Sequence, residues 1–268
     1  MSSKPLGDIY ISFAKKKFLS CMAYRFDHWM TIFSSVFTVI ISFYLYSALY
    51  SGNTEFDGIT LSMVATNLII SFVIGDAFAM DDEFLHNKIN NGTIANEFLR
   101  PVNFKLRILA EDLGQTFYNL IFRSGPAFLL TVLLIDMEPP KSIVYLMLSI
   151  IALLFGYFVC WNLSFIVQTL AFWIINVWSI STIKGVLFSL LSGCILPLWF
   201  LPDTVRTIAS FTPFSSIYFG TVQIYLGLVN EREIVAIYFK QWIWIVLLYL
   251  IGDFLWRRGQ KKLIVQGG

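Results

Sequence analysis

The sequence predicts an all-α, polytopic membrane protein with six transmembrane helices. Three observations carry this prediction. Of the 268 residues, 57% are hydrophobic and only 13% are charged, about half the charged share of a soluble globular chain. The mean hydropathy is +0.72. The apolar residues gather into six runs of the roughly 20 residues that a helix needs to cross the hydrocarbon core of a bilayer. A chain this poor in charge cannot clothe a water-facing surface. That excludes a soluble enzyme, a nucleic-acid-binding protein and a secreted disulfide domain. The three cysteines, Cys21, Cys160 and Cys194, are far apart and odd in number, with neither metal spacing nor a disulfide framework.

The whole chain, 1–268, reads as one membrane domain. In chain order, residues 8–26 come first. Ile11, Ala14, Phe18, Met22 and Phe26 share one side at helical spacing. Lys16 and Lys17 fall elsewhere, and Lys15 within the stripe has to snorkel. The pattern predicts an amphipathic helix on the cytoplasmic membrane surface; a plain extension of the first span is the other reading. The N-terminus has no short apolar region with a cleavage site, so no cleaved signal peptide is expected. The six spans are expected at about Trp29 to Tyr50, Ile59 to Met80, Ile108 to Ile135, Ile143 to Thr169, Ile183 to Leu201 and Tyr238 to Trp256. The stretch between the fourth and fifth is apolar enough to belong to either, and Lys184 is its only charge.

Basic residues set the orientation, because they stay on the cytoplasmic side. Lys4, Lys15, Lys16, Lys17 and Arg25 precede the first span. Lys88, Arg100, Lys105 and Arg107 fall between the second and third, Lys184 follows the fourth, and Arg257, Arg258, Lys261 and Lys262 follow the sixth. The opposite side receives only Lys141, Arg206, Arg232 and Lys240. Both termini are therefore expected in the cytoplasm.

Two connections are too structured for plain loops. The cytoplasmic stretch 81–107 reads as two short helices broken at Asn90-Asn91-Gly92, with Thr93 capping the second and Pro101 ending it. Ile94 and Phe98 then stack one turn apart. Such an element either docks a partner or lies on the lipid, and these residues favour neither reading. The outer stretch 197–237 holds prolines at 197, 202 and 213 and a polar loop with Glu231, Arg232 and Glu233. Its Trp199, Phe200, Ile208, Phe211 and Phe214 predict short interfacial or re-entrant helices covered by protein.

The chain lacks the phosphate-cradling loop of ATP-binding proteins and the paired histidines of a zinc protease; His28 and His86 are far apart. No cofactor or metal is expected on the chain. A charge in a span is a functional hypothesis by default. Arg123, about four turns into the third span, either binds an anionic or polar substrate group or pairs with a carboxylate, with the pair favoured. Glu111, Asp112 and Asp76 sit near the cytoplasmic side, solvated or paired. Asn67, Asn162, Gln168 and Asn176 either bond neighbouring helices or line a polar path. Carboxylates deep in the membrane are nearly missing, which argues against a proton-coupled transporter.

At this point the residues match a family. Gly92-Thr93-Ile94 followed by Phe98-Leu99 and Pro101 looks like a coupling segment after the second span. Phe172-Trp173 falls between the fourth and fifth spans. Ser192-Gly193-Cys194-Ile195-Leu196-Pro197-Leu198, Phe200-Leu201-Pro202 and Thr212-Pro213-Phe214 precede the last span, and Arg258-Gly259-Gln260-Lys261-Lys262 through Gln266-Gly267-Gly268 close the chain. In that order the sequence resembles the ABC-2 type permeases, membrane subunits of bacterial ATP-binding cassette exporters, over nearly its whole length. One departure stands: the family often has charged residues before the Gly-Thr, where this chain has Asn90-Asn91.

The resemblance implies a permease subunit in the bacterial cytoplasmic (inner) membrane. It implies a cytoplasmic ATPase dimer, carrying ATP and Mg, docked on residues 82–101, and a second permease, the same or a sister chain, enclosing a path for an amphiphilic, drug-like, peptide or lipid-type substrate. Docking is assigned to Gly92, Thr93, Ile94, Glu97, Phe98, Arg100 and Pro101. Ile94 and Phe98 are the expected apolar knobs; Glu97 and Arg100 are the polar rim. Arg123, Asn67, Asn162 and Gln168 are the candidate path residues. Membrane lipid is an expected partner and nucleic acid is not. The alternative is a secondary transporter of a hydrophobic small molecule, which needs no ATPase. A lipid-modifying membrane enzyme would require a convergent acid, base or metal cluster, and the sequence has none.

Overall fold

A computed structural model describes residues 6–23, 25–50, 52, 55–56 and 58–262. Lys4, the side chains of Arg25 and Phe26, and the ending Gln266-Gly267-Gly268 lie outside the described residues. The described residues are mostly helical. The helices are α1 (Leu6–Cys21), α2 (Arg25–Tyr50), α3 (Leu61–Ala77), the short α4 (Phe84–Asn90) and α5 (Ile94–Phe98), α6 (Phe104–Asn119), α7 (Gly125–Leu134), α8 (Ile143–Thr169), α9 (Val177–Leu191), α10 (Asp203–Ser210), α11 (Phe219–Leu226) and α12 (Glu231–Gln260). A two-residue antiparallel ladder, Glu55–Phe56 against Ile59–Thr60, lies between α2 and α3.

Among the described residues, four stretches are long and apolar enough to cross a membrane: His28–Tyr50, Phe104–Leu134, Ile143–Phe172 and Glu231–Gln260. The second and fifth expected spans are shorter. α3 has 17 residues and α9 has 15, or about 25 and 22 Å at the rise of an α-helix, less than the ~30 Å hydrocarbon core. α9 also sits differently from its expected place. It begins at Val177 rather than Ile183 and stops at Leu191, ten residues before Leu201. Gly193 ends it with φ +79, a left-handed conformation that costs glycine little and other residues more.

Other boundaries have local causes. Pro139-Pro140 stops helix propagation, and Ser142 then caps α8 by accepting from the Tyr145 backbone N–H. Asn103 caps α6, accepting from Leu106 at 3.1 Å. The third expected span is interrupted by a π turn over Leu120–Ser124. Pro126 lies just beyond it and supplies no N–H, so the wider turn absorbs the break in the hydrogen-bond ladder. Glu231, Arg232 and Glu233, expected in a loop, form the first turn of α12. Asn230 and Glu233 make a reciprocal capping box there.

Packing is built on a few close helix pairs. α12 runs along α8, where Tyr238 Oη donates to Leu148 O at 2.7 Å and Gln241 Nε2 donates to Ala152 O at 2.9 Å and Ser216 O at 2.8 Å. Such side-chain bonds to backbone hold helices together where lipid supplies no hydrophobic drive. One core joins α3, α4, α5, α6, α8 and α12 through Leu85, Ile94, Phe104, Phe165, Tyr218 and Trp256. A second joins α2, α3 and α7 through Val39, Val64, Leu68, Ile69 and Ala127.

α1 does not simply lie on a surface. It packs along α6, turning Tyr10, Phe13, Ala14, Lys17 and Phe18 inward. The expected stripe is rotated: Ala14 and Phe18 face the protein, while Ile11 and Met22 are exposed with Lys15. The helices touch at Gly114, where an added Cβ would stand 2.1 Å from Ala14 O. In the outer stretch Phe214 is buried, but Ile208 and Phe211 on and just after α10 are open, so the chain does not cover them itself. The Gly114→Val variant should push α1 off α6 and destabilise the chain by about 1–3 kcal/mol, the usual range for overpacking. Thermal unfolding in detergent checks this, with tryptic cleavage after Lys15 and Lys16 accelerating in the variant.

Candidate functional site

The residues expected to dock a partner lie on α4, α5 and the turns around them. Gly92, Thr93, Arg100 and Pro101 are exposed. Phe98 is 42% exposed and Leu99 82%. Ile94 and Glu97 are not part of this surface. Ile94 is 5% exposed and belongs to the main core, so it is a root rather than an outward knob. Glu97 is 4% exposed and pairs with Arg107, with Lys88 at 3.1 Å and with Arg100 at 3.6 Å. It faces inward as a clasp and does not form a rim. Residues 94 and 97 share the inner face because they are three apart on a helix; Phe98, four residues from Ile94, lies at the edge of that face against Trp256, and Leu99 points outward. Thr93 occupies the N-cap position but makes no cap bond. Its backbone is helical rather than extended, and its hydroxyl donates instead to Lys88 O at 3.4 Å.

Arg107 carries this clasp into the bundle. It also bonds Glu111 at 3.0 Å and lies 5.1 Å from the Phe13 ring of α1. Aromatic stacking makes the second anchor. Trp256 near the end of α12 stacks on Phe104 at 4.3 Å with nearly parallel planes, and on Phe98 at 6.0 Å. It also contacts Phe165 and Phe172. A third anchor lies just before α4. Lys184 of α9 pairs with Asp82 at 2.6 Å, and Ser181 donates to the same carboxylate at 2.7 Å. α4 and α5 are thus tied to α6, α8, α9 and α12 while the Phe98-Leu99 tip stays open.

The four candidate path residues do not converge. Arg123 lies in the π turn, and its Nε donates to His28 Nδ1 at 3.0 Å. That bond requires an unprotonated Nδ1, so the ring proton sits on Nε2. Nε2 then faces Cys21 O at 3.0 Å and Tyr118 Oη at 2.6 Å. Arg123, His28, Lys17 and Gln115 line a polar cavity of ~280 Å³. Burial raises the pKa of the neighbouring Cys21 thiol above its ordinary value. Asn67 is buried and donates to Gly193 O at 2.9 Å, bracing the end of α9. Gln168 is buried in α8. Asn162 donates to Phe158 O at 2.8 Å and faces a separate groove. Asp112 and Asp76 are paired rather than solvated: Trp161 Nε1 donates to Asp112 at 2.9 Å, and Ser35 donates to Asp76. Sequence reading missed Trp256 and Arg107 as parts of this site, and the pairing of Asp82 with Lys184. The signals available were a lone aromatic in a basic helix end and a carboxylate facing the single lysine of an apolar run. Among the described residues no group of His, Cys, Asp and Glu is arranged to hold a metal.

Four helices long and apolar enough to cross a membrane define a multi-pass membrane protein. A family model described as "ABC-2 family transporter protein" matches residues 36–267, and the chain belongs to that family. A search of the curated proteins gave no match.

Breaking the clasp should be costly, because removing one charge leaves others buried and unpaired. The Glu97→Gln variant should lose about 3 kcal/mol or more of stability, and proteolysis within 81–101 should quicken. Arg100→Gln, which removes the exposed partner, should cost less than ~1 kcal/mol. Melting curves of the two purified variants give the comparison.

Proposed function

We propose that the chain is the permease subunit of an ABC exporter, and that α4 and α5 form the coupling element on which a cytoplasmic ATPase subunit docks. The observation that carries this reading is the exposed Phe98-Leu99 tip on a base fixed by Ile94, Glu97 and Trp256. An element that only rested on lipid would not need a buried carboxylate and three cations at its root. Two ATPase subunits closing on ATP and Mg would push the tip. Its tethers to α6, α8, α9 and α12 would pass that push to the bundle as a rigid-body motion.

In this reading the chain crosses the membrane six times, through α2, α3, α6–α7, α8, α9 and α12, with both termini in the cytoplasm. Lys88, Arg100, Lys105, Arg107, Arg257 and Arg258 lie at the end that holds α4 and α5, which supports that side as the inner one. The short α3 and α9 fit an assembly in which a second permease covers part of the surface. α9 leaves Trp178, Ile183, Val186 and Leu190 exposed and buries only Val177 among its own residues. The path between the two permeases would take an amphiphilic, drug-like, peptide or lipid-type substrate outward. The buried Asp82 and Asp112 and the half-buried Asp76 all have partners, which favours this reading over an ion-driven transporter.

The test is co-expression with the genes beside it and transport in vesicles. The Phe98→Ala/Leu99→Ala double variant should insert and lose no more than about 1.5 kcal/mol of stability, the worth of the Phe98–Trp256 stack, but lower ATP-driven transport about tenfold or more, as expected for loss of an interface hot spot. Ile94→Ala should instead lower stability by about 2 kcal/mol or more, as for a core truncation. Full transport and full ATPase stimulation in the double variant would show that the tip does not dock the ATPase.

A further inference from the structure

A groove of ~510 Å³ opens on the side of the bundle between α6, α8 and α12, at the end that holds α4 and α5. It has an apolar wall and a charged mouth. Leu109, Phe158 and Ile245 form the wall. Lys105, Arg257 and Asp253 form the mouth, with one positive charge in excess. Asp253 is already engaged by Arg257 at 2.8 Å. Lys105 is 7% exposed. Its ammonium donates to Tyr249 O at 3.3 Å and lies 3.5 Å from the Tyr249 ring centroid and 4.9 Å from that of Phe165. An ammonium has three donors, and among the described residues one hydrogen bond from this group is found. Asn162 lines the same groove. It is 3% exposed, and among the described residues its Oδ1 accepts no hydrogen bond. A buried polar atom left in this state is costly unless something outside the chain supplies a donor.

A ligand that satisfies these groups must bring an anion to Lys105 and Arg257, a hydroxyl donor to Asn162 and an apolar chain to the wall. We propose that the groove is a binding site for an anionic glycerophospholipid of the adjacent leaflet, with its phosphate at Lys105 and Arg257, a headgroup hydroxyl toward Asn162 and an acyl chain along Leu109, Phe158 and Ile245. The site is separate from the polar cavity at Arg123. It depends on membrane insertion and not on the exporter reading. A lipid seated here touches Asn103, Trp161 and Trp256. It therefore adds contacts between the end of α12 and the start of α6, the two helices that hold the docking tip.

The full-length chain in mild detergent is titrated with dioleoyl phosphatidylglycerol or with dioleoyl phosphatidylcholine, and one-to-one lipid adducts are followed by native mass spectrometry. The anionic lipid should bind at least about fivefold more tightly, the effect of roughly one basic residue at a membrane surface. Arg257→Gln, at a largely exposed position, should remove most of that preference, and Lys105→Gln should do the same if it folds. Lys261→Gln, at the same end but outside the groove, should leave the preference intact. Three results overturn the proposal. One is equal binding of the two lipids. Another is an equal loss in the Lys261 and Arg257 variants, which means diffuse attraction. The last is displacement of the lipid by millimolar inorganic phosphate, which means a free-anion site.

Discussion

The Glu97 carboxylate, closed off from solvent against Arg107 and Lys88, holds one end of this molecule together. A charge in that position is tolerated only with partners beside it, and each partner belongs to a different part of the chain. Lys88 comes from α4, Arg100 from the turn after α5, and Arg107 from the first turn of α6. Arg107 reaches further, to Glu111 and to the ring of Phe13 on α1. The short helices α4 and α5, with 7 and 5 residues, are too short to be stable alone. They are ordered because their inner faces are bonded and buried. The outer face is left free for the role proposed for it.

Charge pairing and aromatic stacking divide the work along the bundle. Near α4 and α5, the Lys184–Asp82 pair and the Trp256 stack attach α9 and α12 to the same element. At the opposite end the ties are hydrogen bonds, some of them between distant residues, such as Ser62 to Glu138 and Lys141 to Gly227. Asn67 holds the turn at Gly193, and Arg206 donates to three carbonyls, those of Leu198, Trp199 and Leu201, closing a short helical turn. The region at that end is built of short pieces broken by Pro197, Pro202 and Pro213. In the role proposed for the Phe98-Leu99 tip, a push delivered there would meet the connections near α4 and α5 first.

Hydropathy made the long helices legible. α8 spans the residues that its apolar run predicts, because Ser142 caps one end and Pro139-Pro140 precedes it. The breaks were less visible. A six-residue shift at the start of α9 and its early stop at Gly193 follow from a backbone conformation that composition does not display. The first turn of α12 looked like a loop because Glu231 and Glu233 are charged, although Asn230 followed three residues later by Glu233 spells a capping box. The rotated stripe of α1 depended on a tertiary contact, Gly114 against Ala14, that helical spacing cannot reveal. In the stretch 81–107, the break at Gly92 between two short helices was legible. The inward turn of Ile94 and Glu97 was not, because an apolar residue and a carboxylate on a short exposed segment read as surface until their buried partners are known.

The central claim is that the tip at Phe98-Leu99 meets the ATPase subunit while Ile94 and Glu97 stay within the permease. The most direct measurement is single-cysteine cross-linking. It uses a Cys21→Ser background, since Cys160 and Cys194 are buried, and the chain assembled with its ATPase partner. The account predicts that the Leu99→Cys variant cross-links to the ATPase subunit through a short bifunctional reagent, with a yield that changes on ATP binding, and that the Ile94→Cys variant does not. Cross-linking from position 94 but not from 99, or from neither in an assembled and active complex, would contradict it.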